Sequence, residues 1–412
     1  MRKSFGEVVV DTDHGGESVP FTEVVAALEQ YTRETGTRPL LLGGWEVEHP
    51  AMTPPPDLLH QLAECAPHLR HYTYARDVLQ ARHEAADLLG PSLRFAETPL
   101  TARHVSIQQN STQALHLALA ALKERGARRV VIAAPAYYAV SVICRTLGLE
   151  TVIVPAANYH TGALDMERIA QAAICTGSVV VVTNPSYVLG VEHSDDDLHT
   201  LRHMLAYDTW LVLDETRLGL HWHDEAPWRS ADYSRRTVVV RSPSKIFFVH
   251  GLKTSLLLGD PSLLREAEQL GEALVGSLPG NTEPIAIAYL AAWRAWRNEV
   301  AADVPGPLRR WRRTVLAALR ANLAAAEEEL TPHGYRFSPV DSGPHVLAAA
   351  PRERLTNARI LAAAREQGVL LMTGAHFLHE HPRWQGFRVN LCLTGAQQAE
   401  AFARLRMVWG AR

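Results

Sequence analysis

Apolar residues recur at helical spacing between Phe21 and Thr35, where Val24, Val25, Leu28 and Tyr31 share one face, and the spacing predicts a helix. The run Leu40 to Pro50 follows and ends in the breaker Thr53-Pro-Pro-Pro56. Val78 to Leu89 is again amphipathic. From Thr101 the pattern changes. Val105–Gln109, Arg129–Pro135, Leu149–Pro155, Ser178–Thr183, Trp210–Asp214 and Thr237–Val240 are short, mostly apolar runs. Helical stretches at Ala114–Lys123, Asp165–Ala173 and Asp195–Ala206 fall between them. Runs that are apolar throughout, rather than alternating, predict strands covered on both faces, and hence an α/β fold with a mostly parallel central sheet. A helical stretch from about Glu283 to Glu329, broken near Pro305, leads into strand-like Gly334–Ala350. Helix Arg359–Gln367 and strands Val369–Met372 and Gln385–Leu393 come next, and together these predict a smaller α+β domain.

Composition narrows the function classes. The chain of 412 residues is long enough for two domains, and 47% apolar with 21% charged residues is the balance of a soluble globular protein. A formal charge of −3 provides no footprint for nucleic acid and no patch for a membrane surface. Cys65, Cys144, Cys175 and Cys392 lack C-x-x-C spacing and read as reduced thiols of a cytoplasmic protein. Arg2 and Lys3 are not followed by an apolar signal-peptide core. The longest apolar run, Val130 to Cys144, is too short to span a bilayer and contains Pro135.

The candidate chemistry gathers around Arg241-Ser-Pro-Ser-Lys-Ile-Phe-Phe-Val-His-Gly-Leu-Lys-Thr-Ser255. The chain has four lysines, and two of them, Lys245 and Lys253, stand eight apart here. The hydroxyls of Ser242 and Ser244 beside turn N–H groups suit a phosphate. A lysine among Ile246, Phe247 and Phe248 has its pKa lowered by desolvation, which exposes a nucleophilic amine. The bland alternative is a pair of solvated surface lysines. Asn110-Ser111-Thr112-Gln113 opens a helix after a strand, with Asn110 as its cap, and its free N–H groups face an anion. His221, His223 and His250 lie near in sequence as acid/base groups or plain loop histidines; they do not make a metal site.

Ser-x-Ser-Lys with Gly-Leu-Lys eight residues on resembles the Schiff-base segment of fold-type I pyridoxal-phosphate (PLP) enzymes, the class I/II aminotransferase superfamily. Six further stretches, spread over roughly residues 40–400, resemble that family in the same order. The resemblance implies a large PLP-binding domain over residues 46–290, a small domain over 291–412, and an N-terminal arm and helix over 1–45 that packs with the small domain. It implies PLP on Lys245, with phosphate contacts from Ser111, Thr112, Ser242, Ser244 and Lys253, the last standing where the family has Arg. Tyr137 would stack on the ring and Asp214 would face its nitrogen. Arg388 would fork onto the substrate carboxylate, beside Gly43 of the overlying loop and Asn184. Tyr72, ten residues ahead of Arg82, would reach the phosphate of a neighbouring subunit, which implies a homodimer.

The departures are Tyr187, where the family has Asn, and Arg217, where it has Tyr. Both ordinary donors to the cofactor's 3-oxygen are thus replaced. The default reading is an aminotransferase acting on a small-molecule amino acid. Elimination, replacement or cyclisation of a functionalised amino acid in specialised metabolism is the second reading. A non-catalytic PLP-binding homologue is the third, opposed by the presence of Lys245, Asp214 and Arg388 together.

Overall fold

The six predicted strands all form, and a seventh, Ser255–Leu258, joins them. In chain order they are β1 (Val105–Gln108), β2 (Arg129–Ala134), β3 (Glu150–Pro155), β4 (Ser178–Thr183), β5 (Trp210–Glu215), β6 (Thr237–Arg241) and β7 (Ser255–Leu258). They make one sheet in the order β1-β7-β6-β5-β4-β2-β3, in which only β7 runs antiparallel to its neighbours. This computed structural model describes residues 21–223, 231–302, 304–378 and 384–409. The N-terminal arm expected over residues 1–20 lies outside them.

The absence of alternation in these strands has its cause in the layers above and below. On one face Ile107, Val131, Val180, Leu213 and Leu256 pack under the helices Leu79–Leu89 and Thr282–Val300. On the other, Val130, Ile132, Val181, Val212 and Leu257 pack under Ser111–Glu124, Ala139–Leu147 and Pro261–Val275. Every residue of β4 is buried as a result.

A second core joins the helices Phe21–Thr35, Pro307–Leu330, Asn357–Gln367 and Gly395–Trp409 to a three-stranded antiparallel sheet of Arg336–Phe337, His345–Pro351 and Trp384–Asn390. The first helix buries Val24, Ala27, Leu28 and Tyr31 there. The turn that follows helix Asn357–Gln367 requires glycine twice over. Gly368 has φ +61°, and a Cβ would stand 2.2 Å from the Tyr31 ring.

Two sequence expectations change. The run Val369–Met372 is not a strand of this sheet. Its backbone is shared between Leu40, Gly43 and Arg388, with a single parallel bridge from Leu40 to Val369. Gly334–Ala350 is two strands rather than one. They are separated by a turn whose Ser342 and Gly343 N–H groups donate to Gly190 and Leu220. No helix among the described residues is long and apolar enough to cross a membrane.

Candidate active site

The six strands that run in one direction end on the same side, the usual place for a ligand in an open α/β sheet. A cavity of about 350 Å³ opens there. Residues following β1 (Asn110, Ser111, Thr112), β2 (Tyr137, Tyr138), β5 (Thr216, Arg217) and β6 (Ser242, Ser244, Lys245) line it, as does Asp214 from the end of β5 itself. Tyr187 reaches it from the turn after β4. The peptides Ala134–Pro135 and Asn184–Pro185 at two of these ends are cis.

One end of the cavity is built for an anion. Asn110 caps the helix Ser111–Glu124 by accepting from the Gln113 N–H at 2.9 Å, which leaves the first turn's free N–H groups beside Ser111 and Thr112. Opposite, the Ser242 hydroxyl donates to the Thr254 carbonyl at 2.9 Å and lies 3.2 Å from the Ser244 hydroxyl. These contacts close the 242–254 loop. They explain the eight-residue spacing, because Lys253 returns to the rim of the cavity that Lys245 enters.

The middle holds the reactive groups. Lys245 Nζ lies 3.3 Å from Thr216 Oγ1. Burial brings the Lys245 amine down to about 8, with the nearby Arg217 and Lys253 charges acting the same way and Asp214 opposing them. Asp214 Oδ1 accepts from the Thr216 N–H at 3.2 Å, which fixes the carboxylate at the strand end. Thr112 donates to the Tyr137 hydroxyl at 3.4 Å, so the Tyr137 ring stands between the anion end and the centre. The Tyr187 phenol is pushed up to about 12 by burial, against the pull of Arg388 and Arg217.

Two backbone outliers flank this region. Val188 has φ +60° and Phe248 has φ +56°. Non-glycine residues in that region carry strain of about 1–3 kcal/mol, more for a β-branched side chain such as valine. Both positions follow cavity residues, Tyr187 and the Lys245 turn, so the surrounding packing holds the strain where side chains are aimed.

Four expected members stand away from the wall. Arg388 is fully buried in the small sheet. Its Nε donates to the Gly43 carbonyl at 2.8 Å, its Nη2 donates to the Gly43 and Gly44 carbonyls, and its guanidinium carbon lies 3.7 Å from the centroid of the Trp45 ring. Trp45, which lines the cavity, thus covers one face of Arg388, whose Nη1 is buried without a hydrogen-bond partner. Gly43 packs against the Met372 backbone, where a Cβ would come within 2.6 Å. The Asn184 side chain turns inward and accepts from the His193 N–H at 2.8 Å. Tyr72 is 84% exposed and pairs with Pro279. Arg82, its partner in the motif, donates to Ala75 and forms an ion pair with Glu268.

Phe248, one of the apolar neighbours expected around Lys245, lines the cavity, and so do residues that the sequence pattern does not single out: Trp45, Tyr138, Thr216, Leu220, Val249, Pro344 and His345. His345 has a legible signal, a polar residue opening an apolar strand directly after Gly343-Pro344. Burial holds its imidazole neutral, and its Nε2 lies 3.2 Å from the Gly44 carbonyl. His250, noted in the sequence, does line the cavity, with burial bringing it down to about 4. His221 is paired with Glu192 away from the cavity.

Comparison with known proteins places this geometry. Residues 46–405 match the family described as aminotransferase class I and II. No curated protein matches the chain in sequence. Among solved structures, a double mutant of Thermus thermophilus aspartate aminotransferase superposes with a TM-score of 0.76 at 18% identity, covering 96% of this chain and 97% of that one. N-succinyldiaminopimelate aminotransferase from Mycobacterium tuberculosis gives 0.75 at 18% identity over 95% and 97%. YbdL from Escherichia coli, reported with a methionine aminotransferase function, gives 0.70 at 16% over 95% and 99%. At such identity the likeness speaks for the fold.

Proposed function

The chain belongs to the class I and II aminotransferase family, a family of PLP-dependent enzymes, and from that premise we propose that it transfers the amino group of an amino acid using PLP attached at Lys245. The observation that carries this reading is the Lys245 amine, lowered to about 8 by burial and set among Asp214, Thr216 and an anion-binding end. The donor set fits the cofactor. The first turn of helix Ser111–Glu124, with Ser111, Thr112, Ser242, Ser244 and Lys253, would hold its phosphate. Tyr137 would cover one face of the ring, and Asp214 would face the ring nitrogen. Bound there, PLP supplies an electron sink for charge developing at the substrate's α-carbon.

The chain's own residues do the rest. An amine with its pKa near 8 has an appreciable unprotonated fraction at neutral pH, so Lys245 can attack a carbonyl carbon and later carry a proton away from the α-carbon. The Asp214 carboxylate, fixed by the Thr216 N–H, would stabilise positive charge at the ring nitrogen. His250 and His345, held neutral by burial, add no charge to the wall. Tyr72 is exposed and does not line this cavity, so a role for it at a cofactor would call for a second copy of the chain. A cytoplasmic homodimer is the assembly we propose.

The second reading is elimination, replacement or cyclisation, and one observation favours it. Tyr187 and Arg217 line the cavity where the family's ordinary donors to the 3-oxygen would stand. A visible spectrum of the PLP-loaded protein, taken as amino acids are added singly without a keto acid, separates the readings. Stoichiometric accumulation of aminated cofactor is the expected result. Release of ammonia or a rearranged amino acid with the cofactor unchanged would support the second reading instead. If borohydride fixes no cofactor on Lys245, and Lys245→Ala changes nothing, both fail.

A further inference from the structure

The reading above, on which this inference rests, leaves one part of the amino acid unassigned, its side chain. Five rings of the cavity wall stand in an unbroken series. The His345 ring centroid lies 4.8 Å from that of Trp45, Trp45 lies 5.8 Å from Tyr187, Tyr187 6.1 Å from Tyr137, and Tyr137 5.0 Å from Tyr138. Each step is within the roughly 4.5–7 Å at which ring pairs attract. Four separate segments supply the series: strand His345–Pro351, the chain just after Gly43–Gly44, the turn after β4 and the turn after β2. Tyr187 and His345 are buried and Tyr138 is 46% exposed, so the rings run from the interior to the mouth.

The surface left for a side chain is apolar. With the cofactor's own contacts set aside, the described lining residues that keep exposed surface are Trp45, Tyr138, Val249 and His250, and burial holds the His250 imidazole neutral. Leu220, Phe248 and Pro344 add buried apolar wall. Asp214 is the one carboxylate among the described lining residues, and it is engaged by the ring nitrogen, which leaves none for a cationic side chain. Guanidinium donors are present but withdrawn. Arg217 is 6% exposed, and Arg217 Nη2 and Arg388 Nη1 are both buried without hydrogen-bond partners. Such donors suit a carboxylate, and every amino acid brings one, so they bear on the side chain only if it carries a second.

We propose that the substrate is an amino acid with an aromatic side chain, which lies against this series of rings, with Trp45 and Tyr138 as specificity-determining residues. The rival substrate is a dicarboxylic amino acid whose second carboxylate reaches one of the buried guanidiniums.

The test measures by calorimetry how four unreactive carboxylates bind the PLP-loaded protein. Propionate, 3-phenylpropionate, succinate and 5-guanidinopentanoate are alanine, phenylalanine, aspartate and arginine without the amino group. Burying a phenyl ring is worth roughly tenfold to a hundredfold in affinity. 3-Phenylpropionate is therefore expected to bind tighter than propionate by about that factor, with the other two no tighter than propionate. The ratio of the propionate and 3-phenylpropionate Kd values is expected to fall in Trp45→Ala or Tyr138→Ala, and Trp45→Phe, which keeps a ring, is expected to retain most of it. Using the ratio removes any change in carboxylate binding caused by uncovering Arg388. Succinate or 5-guanidinopentanoate as the tightest ligand would assign a charged side chain and overturn the proposal. Equal affinity for all four, binding of none, or a ratio unchanged in both alanine variants would overturn it too. Cofactor absorbance before and after borohydride shows whether PLP is attached, so failure of the underlying reading is seen separately.

Discussion

Arg217 and Arg241 lie at the ends of neighbouring strands, and both are buried, yet their charges are handled in opposite ways. Arg241 meets Glu215 across the β5–β6 pairing, with Nη2 2.8 Å and Nε 2.9 Å from the carboxylate, and Tyr233 donates to the other oxygen of Glu215 at 2.9 Å. Burial acts against the Arg241 charge, but Glu215 and Tyr233 outweigh it and the guanidinium pKa rises. For Arg217 burial is also the largest influence, Tyr187 and Asp214 only partly offset it, and the pKa falls. The charge of the first arginine is balanced within the fold. The second is not, and it faces a cavity. A buried charge that the fold leaves short of partners is a place where a ligand can complete the structure.

The comparison breaks most visibly on the satisfied side. Glu215→Gln leaves Arg241 buried without its counter-charge, which is expected to destabilise the protein by about 3–5 kcal/mol in denaturant unfolding. Replacing both partners, Glu215→Met with Arg241→Met, is expected to lose much less, because neither charge is then left alone. If the double variant loses the sum of the single losses, the two groups do not act as a pair.

The sequence carries the satisfied parts of this molecule better than the unsatisfied ones. Strand runs such as Ser178–Thr183 are legible because burial on both faces writes itself as an unbroken apolar segment. The Ser242, Ser244, Lys245 and Lys253 set is legible because one short loop holds it. Asn110 is legible because a cap acts three residues away. What was not legible depends on distant segments. Ser255–Leu258 is four residues long and carries no signal apart from the loop before it. Arg388 stands in an apolar strand as expected, but its direction is set by carbonyls 345 residues earlier in the chain, at Gly43. Local pattern places a guanidinium on a strand. It does not say which carbonyls that guanidinium meets, nor that the indole of Trp45, beside the Gly43–Gly44 turn, lies against its face.

Lys245 is a third cation held away from water, and its titration sharpens the contrast. Its folded pKa, about 8, lies below the ordinary lysine value of 10.5. Between those limits the unfolded chain carries a proton on this lysine and the folded chain does not. Stability therefore rises with pH across that window, by up to about 1.4 kcal/mol per pH unit, and this contribution is absent below pH 8, where both states are protonated. The cofactor-free protein is expected to show this rise in denaturant unfolding, and Lys245→Met is expected to flatten it. A slope unchanged by Lys245→Met would mean that the amine is hydrated.

The smallest expected effect has the most informative sign. In the cofactor-free protein, Arg217→Met removes a desolvated charge and keeps an apolar stem of similar length against Trp45 and Tyr187. It also forfeits the cation–π attraction, worth up to about 2 kcal/mol when desolvated, so the net change is a difference between two opposing terms. Desolvation of an ion costs several kcal/mol, which makes a net gain of about 1 kcal/mol the expected outcome. A gain of stability is the mark of a charge that the fold itself does not need. A loss of stability comparable to that of Glu215→Gln would instead place Asp214 as the partner of Arg217, and the two arginines would then differ in degree and not in kind.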